Sequence, residues 1–396
     1  MAQTSRQFFG FIGITTFTKL LMNVTRRMIY PFAPEFARGL GVDLSAITSV
    51  IAVNQATALL GPVGASFADR YGYKLLMLFA LGLLTIGTFA AGFIPLYSVL
   101  VVCLFLAGLC KSIFDPSLQA FIGEFVPIEQ RGRVIGITEL AWAGSTLLGI
   151  PVAGLIIEQF SWQTPFWIIG LLSLVCFGLI LQFMPKTPSN KKKQKKDTPS
   201  FLSNWKTIVQ NREVAGILLF GFFMALASDT LFVIYGAWLE QSYGLSLASI
   251  GFSTILIGIS EMLGEGCTAF FSDRIGLKRS ILLGVSLCAG AYFLLPILDI
   301  SLPHVLTGLF LIFFFFEFTY VTAMSLTTEL VPKLRASTMS AFYAIGGLGR
   351  VAGAFAGGMI WSSSGLAGIS LISGGSTLLA LVCILLGFSK KQQGSK

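Results

Sequence analysis

The fold class predicted here is an all-α membrane protein of twelve transmembrane helices in two pseudo-symmetric six-helix bundles. Three observations predict it. Apolar residues fill 55% of the 396 positions and charged residues only 11%, where a soluble domain carries roughly 25% charge. Long apolar runs recur at the scale of the ~20 residues a helix needs to cross a bilayer. Short sequence signatures return at offsets of 203 to 205 residues, about half the chain.

Taken in order, the apolar runs cover roughly 8–33, 45–67, 74–94, 97–122, 133–157, 163–184, 213–238, 247–270, 279–298, 303–328, 336–361 and 365–388. These are spans one to twelve. Turn-forming stretches separate them: Gly41-Val42-Asp43, Ile94-Pro95, Val126-Pro127, Ser301-Leu302-Pro303 and Ser362-Ser363-Ser364-Gly365. The N-terminus shows no small-residue cleavage site after a short apolar core, so no removable signal peptide is expected. The six cysteines all lie inside apolar runs and read as packing residues.

The formal charge of +9 excludes little by itself, but its distribution is informative. With the N-terminus inside, 21 Lys and Arg fall in cytoplasmic segments, one (Arg38) in an outer loop, and five within spans. That asymmetry places both termini in the cytoplasm, in a plasma (inner) membrane. A chain this apolar keeps its basic residues at lipid headgroups, and no nucleic-acid partner is expected. Residues 1–184 form the N-terminal bundle, and 185–212 a basic cytoplasmic linker. Residues 213–396 form the C-terminal bundle with a short basic tail. The linker holds five Lys within six residues, a flexible tether. Behind it Phe201, Leu202, Trp205, Ile208 and Val209 share one face of a short interfacial helix.

The repeated signatures align the two halves. Asp69-Arg70-x-Gly72-x-Lys74 returns as Asp273-Arg274-x-Gly276-x-Lys278, Glu124-Phe125-Val126-Pro127 as Glu329-Leu330-Val331-Pro332, Arg131 as Arg335, Gly154 as Gly358 and the stretch from Gly41 as that from Gly244. A parallel repeat with six spans per half gives both halves the same orientation. Asp69 can cap a helix N-terminus, and Gly72 supplies a turn that a β-carbon resists. Arg70 and Lys74 can reach Glu124, Glu129 or headgroups.

On these residues the whole chain resembles the major facilitator superfamily. That family's loop between the second and third helices reads Gly-x-x-x-Asp-Arg-x-Gly-Arg-Lys. Ala65 and Ala269 replace its leading Gly, and Tyr73 its second Arg, while Arg279 is present in the second copy. The resemblance implies a gating latch at Asp69, Arg70, Gly72 and Lys74, and again at Asp273, Arg274, Gly276 and Lys278. It also implies a monomeric secondary transporter, and a central cavity lined by spans one, four, seven and ten. Gly149-x-Pro151-x-x-Gly154 matches a fragment of the family's antiporter motif. The family's fourth-helix Arg is absent: Leu104 stands there, with Lys111 lower. Rows of small residues in span five (Gly144, Gly149, Gly154) and span eleven (Gly349, Gly353, Gly357) let helices approach closely.

Charge inside a bilayer is costly and asks for a reason. The spans carry five bases, Lys19, Arg26, Arg27, Lys111 and Arg350, and six acids, Asp115, Glu139, Asp229, Glu261, Glu265 and Glu317. Lys19, Asn23, Arg26 and Tyr30 share one face of span one. Together with Asp229 and Arg350 they are the expected substrate-binding residues. Arg26 and Asp229 occupy equivalent positions in the two halves and are expected to approach each other. Lys111 and Asp115, four residues apart, can pair by themselves. Glu317, among Phe313, Phe314, Phe315 and Phe316, is a candidate proton carrier, as is the Glu261–Glu265 pair, whose like charges favour retaining one proton. The four Phe residues are expected to face lipid, and His304 to sit at a surface helix start.

The reading is a transporter, not an enzyme, with a small organic molecule as substrate, the proton as coupling ion, and no cofactor or metal. No Walker loop for ATP is present in the sequence. Coupling to protons is the first expectation, and the resemblance implies efflux as its direction. The alternatives are proton-coupled uptake of an organic anion, which the bases of span one suit, and a non-transporting receptor on the same fold.

Overall fold

The computed structural model describes residues 2–60, 72–184, 210–331 and 335–388, and every regular element among them is helical. Spans three, four, six, nine and ten are single helices, Tyr73–Phe93, Tyr97–Phe125, Thr164–Phe183, Leu277–Leu298 and Leu302–Leu330. Each end lies within three residues of the apolar run that predicts it. Span eight, Leu247–Ile275, runs past its apolar stretch through Asp273 and Arg274. Span two is Leu44–Ala56 followed by a 3-10 turn over Thr57–Leu60, and its expected continuation lies outside the described residues. The expected interfacial helix of the linker also lies outside them.

Span seven is split into Arg212–Phe232 and Tyr235–Tyr243, and the breaks in and between four other spans have chemical causes. Span one extends beyond the predicted 8–33 at both ends, as Ala2–Arg27 and Ile29–Leu40 with a break at Met28. Pro31 has no N–H to offer the Arg27 carbonyl, and Pro34 sits inside the second segment. Span five is Ile128–Gly144, a π-helical turn over Ser145–Gly149, then Ile150–Gln159 with Pro151 in its first turn. Spans eleven and twelve form one run, Arg335–Gly387, broken at Gly365, whose φ of 58° and ψ of −152° are non-helical. The turn read at Ser362–Gly365 is therefore present.

Among the described residues, nine helical segments are long and apolar enough to cross a membrane, one of them holding spans eleven and twelve. The two segments of span one and the Leu44–Leu60 helix bring the total to twelve. The protein is an integral, multi-pass membrane protein.

The internal repeat is visible in the backbone. Positive φ occurs among the described residues only at glycine, and four of the five cases are two repeat-related pairs. Gly41 and Gly244 have φ of 65° and 61°. Gly72 and Gly276 have φ and ψ of 88° and 143°, and of 93° and 132°. Each of the latter pair sits at the N-terminus of the third helix of its half. The same unusual conformation 204 positions apart is the local signature of two bundles with one topology.

The chain forms two compact units, Met1–Lys196 with Tyr235–Gly258, and Asp197–Ile234 with Ile259–Lys396. In the first, small residues set the approach of span five to span one. A β-carbon at Gly149 would overlap Val24, and one at Gly144 would lie 3.3 Å from Leu20. The segment Tyr235–Gly258 packs in the same unit by the same device. A β-carbon at Gly236 would overlap the Pro31 carbonyl, and one at Gly154 would lie 2.8 Å from the Leu247 carbonyl oxygen. Thr254 Oγ1 donates to the Thr146 carbonyl in the π-turn at 3.1 Å. In the second unit the expected small-residue row of span eleven lies on the backbone of span seven. A β-carbon at Gly349 would overlap the Phe222 carbonyl, and those at Gly353 and Gly357 would approach the Leu226 and Thr230 carbonyl oxygens at 2.5 and 2.7 Å.

Gly276 has open space around its Cα, so substitution there tests backbone strain alone. Gly276→Ala is expected to destabilise the purified protein by about 1–3 kcal/mol, read as a lowered thermal midpoint. Gly266→Ala, also in open space but with helical φ, is expected to leave the midpoint unchanged or raise it.

Candidate functional site

The shared face expected for span one exists and is occupied by a polar network (all within the first unit). Arg26 Nε donates to Asn54 Oδ1 at 2.9 Å, and an η nitrogen to Gln55 Oε1 at 3.3 Å. Gln55 in turn donates to the Tyr30 hydroxyl at 2.5 Å, and Asn54 to the Leu104 carbonyl of span four at 2.6 Å. One turn earlier on span one, Lys111 of span four donates to Asn23 Oδ1 at 3.1 Å.

Asp115 is the hub of the charged part. It accepts from Lys111 at 2.7 Å, the expected i, i+4 pair, and lies 3.7 Å from Lys19. Lys19 is 2% exposed and also bonds Glu139 of span five at 2.7 Å. The Arg27 guanidinium lies 4.2 Å above the Trp142 ring, with the Lys111 ammonium 5.8 Å from the same ring. Spans one, two, four and five thus converge on one buried cluster. Asn54, Gln55 and Trp142 were not among the residues singled out from sequence. The adjacent amides in an apolar run were the available signal, because buried amides need partners. Nothing local marks Trp142.

In the second unit Asp229, 1% exposed, accepts from Arg350 at 3.0 Å. The glycine row explains the pairing: Gly353 backs onto Asp229 and Thr230, so span eleven delivers Arg350, one turn away, to the carboxylate. Asp229 and Arg26, expected to approach each other, each have a bonded partner inside their own unit.

The two sets of candidate proton carriers lie on helices that cross at Gly264. Gly264 of span eight lies against span ten, where a β-carbon would stand 3.1 Å from Glu317 Cβ and 2.6 Å from the Phe314 carbonyl oxygen. Glu265, which is exposed, is the next residue and Glu261 lies one turn away, so the helix that bears both passes beside Glu317. Glu261 is buried and Glu317 half-buried. The expectation that Phe313, Phe314, Phe315 and Phe316 face lipid is corrected. Phe313 and Phe316 are buried, packed on Phe232 and Tyr320 at ring distances of 5.6 and 5.3 Å. Four consecutive residues cover a full helical turn, so two of them face inward. His304 is exposed at the start of span ten and hydrogen-bonds Ser301, as expected.

Of the expected gating residues, Asp69 and Arg70 lie outside the described residues, and Asp273 is placed as part of the span-eight helix. Arg274 is exposed near the end of that helix, and Gly72 and Gly276 form the turns already described. Lys74 donates to the Leu181 and Met184 carbonyls at 2.8 and 2.5 Å, at the C-terminus of span six. A cation there meets the negative end of the helix dipole. Its repeat partner Lys278 lies 3.6 Å from Glu213 and 4.2 Å over the Phe388 ring, at the end of span twelve. Each lysine therefore holds the last helix of its own half. At the other end of the spans, Arg38 bridges Glu35 and Glu240, each at 2.7 Å, and Glu158 accepts from the Ala248 amide at 2.6 Å, in the first turn of span eight.

The sequence matches the Major Facilitator Superfamily model over residues 15–333 and 217–396. The chain belongs to the major facilitator superfamily. This superfamily member is 26% identical over 307 residues to an uncharacterised MFS-type transporter, YceJ, of Bacillus subtilis, covering 78% of this chain and 77% of that one. It is 26% identical over 278 residues to the multi-drug resistance efflux pump PmrA of Streptococcus pneumoniae, covering 68% of each. The solved structure of the nucleoside transporter NupG superposes with a TM-score of 0.77 at 15% identity, covering 95% of this chain and all of that one. That likeness shows the fold. As a superfamily member the protein is a membrane transporter and not an enzyme, and its ligand is a small molecule.

Asp115 and Glu139 both bond Lys19, yet their side chains are 20% and 49% exposed. Asp115→Asn is expected to cost about 3–5 kcal/mol, because buried Lys19 and half-buried Lys111 lose their shared carboxylate. Glu139→Gln is expected to cost under about 1 kcal/mol. Thermal unfolding of the two variants in detergent gives the order.

Proposed function

We propose that this transporter is a proton-coupled secondary exporter of small organic molecules, working by alternating access. The observation that carries the reading is the crossing at Gly264, where Glu317 of span ten meets the helix bearing Glu261 and Glu265. A carboxyl can take up and release a proton, so an acid placed at a helix crossing can carry the coupling ion. The similarity to PmrA, itself named a multi-drug resistance efflux pump, supports export. The distribution of Lys and Arg supports cytoplasmic termini in the inner membrane, so that the coupling proton enters from outside. Lys19, Asn23, Arg26 and Tyr30 with Asp229 and Arg350 serve the substrate, and the two Asp-Arg-x-Gly-x-Lys loops serve gating. The protein works as a monomer surrounded by lipid.

The test uses purified protein in liposomes with an imposed pH gradient. Substrate movement driven by the gradient is expected in the wild type. In Glu317→Gln it is expected to fall at least about a hundredfold, while gradient-free exchange continues, because an amide cannot carry a proton. Unchanged gradient-driven transport in Glu317→Gln, and also in Glu265→Gln, would remove this crossing from the coupling mechanism.

A further inference from the structure

The buried charge of the first unit is weighted toward the positive. Its spans carry Lys19, Arg26, Arg27 and Lys111, against Asp115 and Glu139 as acids. The two carboxylates are engaged with the two lysines. A solute entering this network meets a field that favours anions and opposes cations.

One side chain within it points to a ligand. Asn23 is 1% exposed and gives its oxygen to Lys111. An ammonium can only donate, so this bond fixes the amide orientation. The Asn23 Nδ2 group is therefore turned the other way, and it has no acceptor among the described residues. A buried donor without an acceptor is rare in folded proteins, and an incoming oxygen would satisfy it. Beside it, the Trp142 ring is flanked by Arg27 at 4.2 Å and Lys111 at 5.8 Å. An aromatic face, two cations and an unsatisfied N–H are thus gathered within one unit.

We propose that Asn23, Arg27, Lys111 and Trp142 form a subsite for the carboxylate of an aromatic organic anion. The carboxylate oxygens accept from Asn23 Nδ2 and from the basic groups, and the ligand ring lies against the Trp142 indole. Charge-assisted bonds of this kind are the strong ones, and stacking adds selectivity for flat ligands. The proposal rests on the transporter reading and narrows its substrate class from small organic molecules to anions.

Isothermal titration calorimetry on the purified full chain, at one pH and without a gradient, tests it with three probes: naphthoate, naphthamide and naphthylmethylamine. Naphthoate is expected to bind at least about tenfold more tightly than the neutral amide or the cationic amine. Asn23→Asp, which keeps the shape and adds a negative charge, is expected to weaken naphthoate at least about tenfold and to weaken naphthamide less. Should that variant fail to fold, Asn23→Ala removes the donor alone and is expected to weaken naphthoate about threefold or more. Amine binding as tight as naphthoate, naphthoate binding indifferent to the Asn23 variants, or no naphthoate binding at millimolar concentration would each overturn the subsite. Naphthoate binding without proton-driven transport would keep this inference and remove the coupling. Proton-driven transport with a preference for the amine would do the reverse.

Discussion

Burying charge in a bilayer is the constraint on which the rest of this structure depends. An ammonium or carboxylate in hydrocarbon is costly unless a partner stands within bonding distance. The structure meets that condition helix by helix. Asp115 gathers Lys19 and Lys111, Glu139 completes Lys19, and Asp229 takes Arg350. These bonds join spans one, four and five in one unit and spans seven and eleven in the other. The charges therefore do more than line a site, because they fix which helices are neighbours and in what rotation.

Close approach of backbones is the second requirement, and glycine meets it. Lipid tails are as apolar as leucine, so helices in a bilayer associate through tight packing and not through the hydrophobic effect. Gly349, Gly353 and Gly357 set span eleven on the backbone of span seven, and that seating brings Arg350 to Asp229. Gly264 does the same for spans eight and ten and brings Glu317 to the helix of Glu261 and Glu265. Packing and electrostatics are thus one arrangement: the small residue removes the spacer, and the ionisable residue one turn or one position away gains its neighbour.

The loop motif carries a parallel lesson. Gly72 and Gly276 adopt a conformation open only to glycine, and each starts the third helix of its half. Two residues on, Lys74 and Lys278 reach the C-terminal ends of the sixth and twelfth spans. A motif read as a latch has, in this arrangement, a share in holding each bundle together.

Much of the architecture was legible from the chain alone. Apolar length gives the spans because a bilayer has a fixed thickness, and the offsets near 204 give the two halves because homologous segments adopt the same local geometry. Local chemistry also announced the Lys111–Asp115 pair and the turn at Gly365. What the sequence could not decide was partnership between distant spans. The role of Asn54 and Gln55 beneath Arg26, the place of Trp142 near two cations, and the inward turn of Phe313 and Phe316 all depend on how helices are rotated about their axes. Rotation is settled by the sum of many small packing contacts along each interface, and no short stretch of sequence contains that sum.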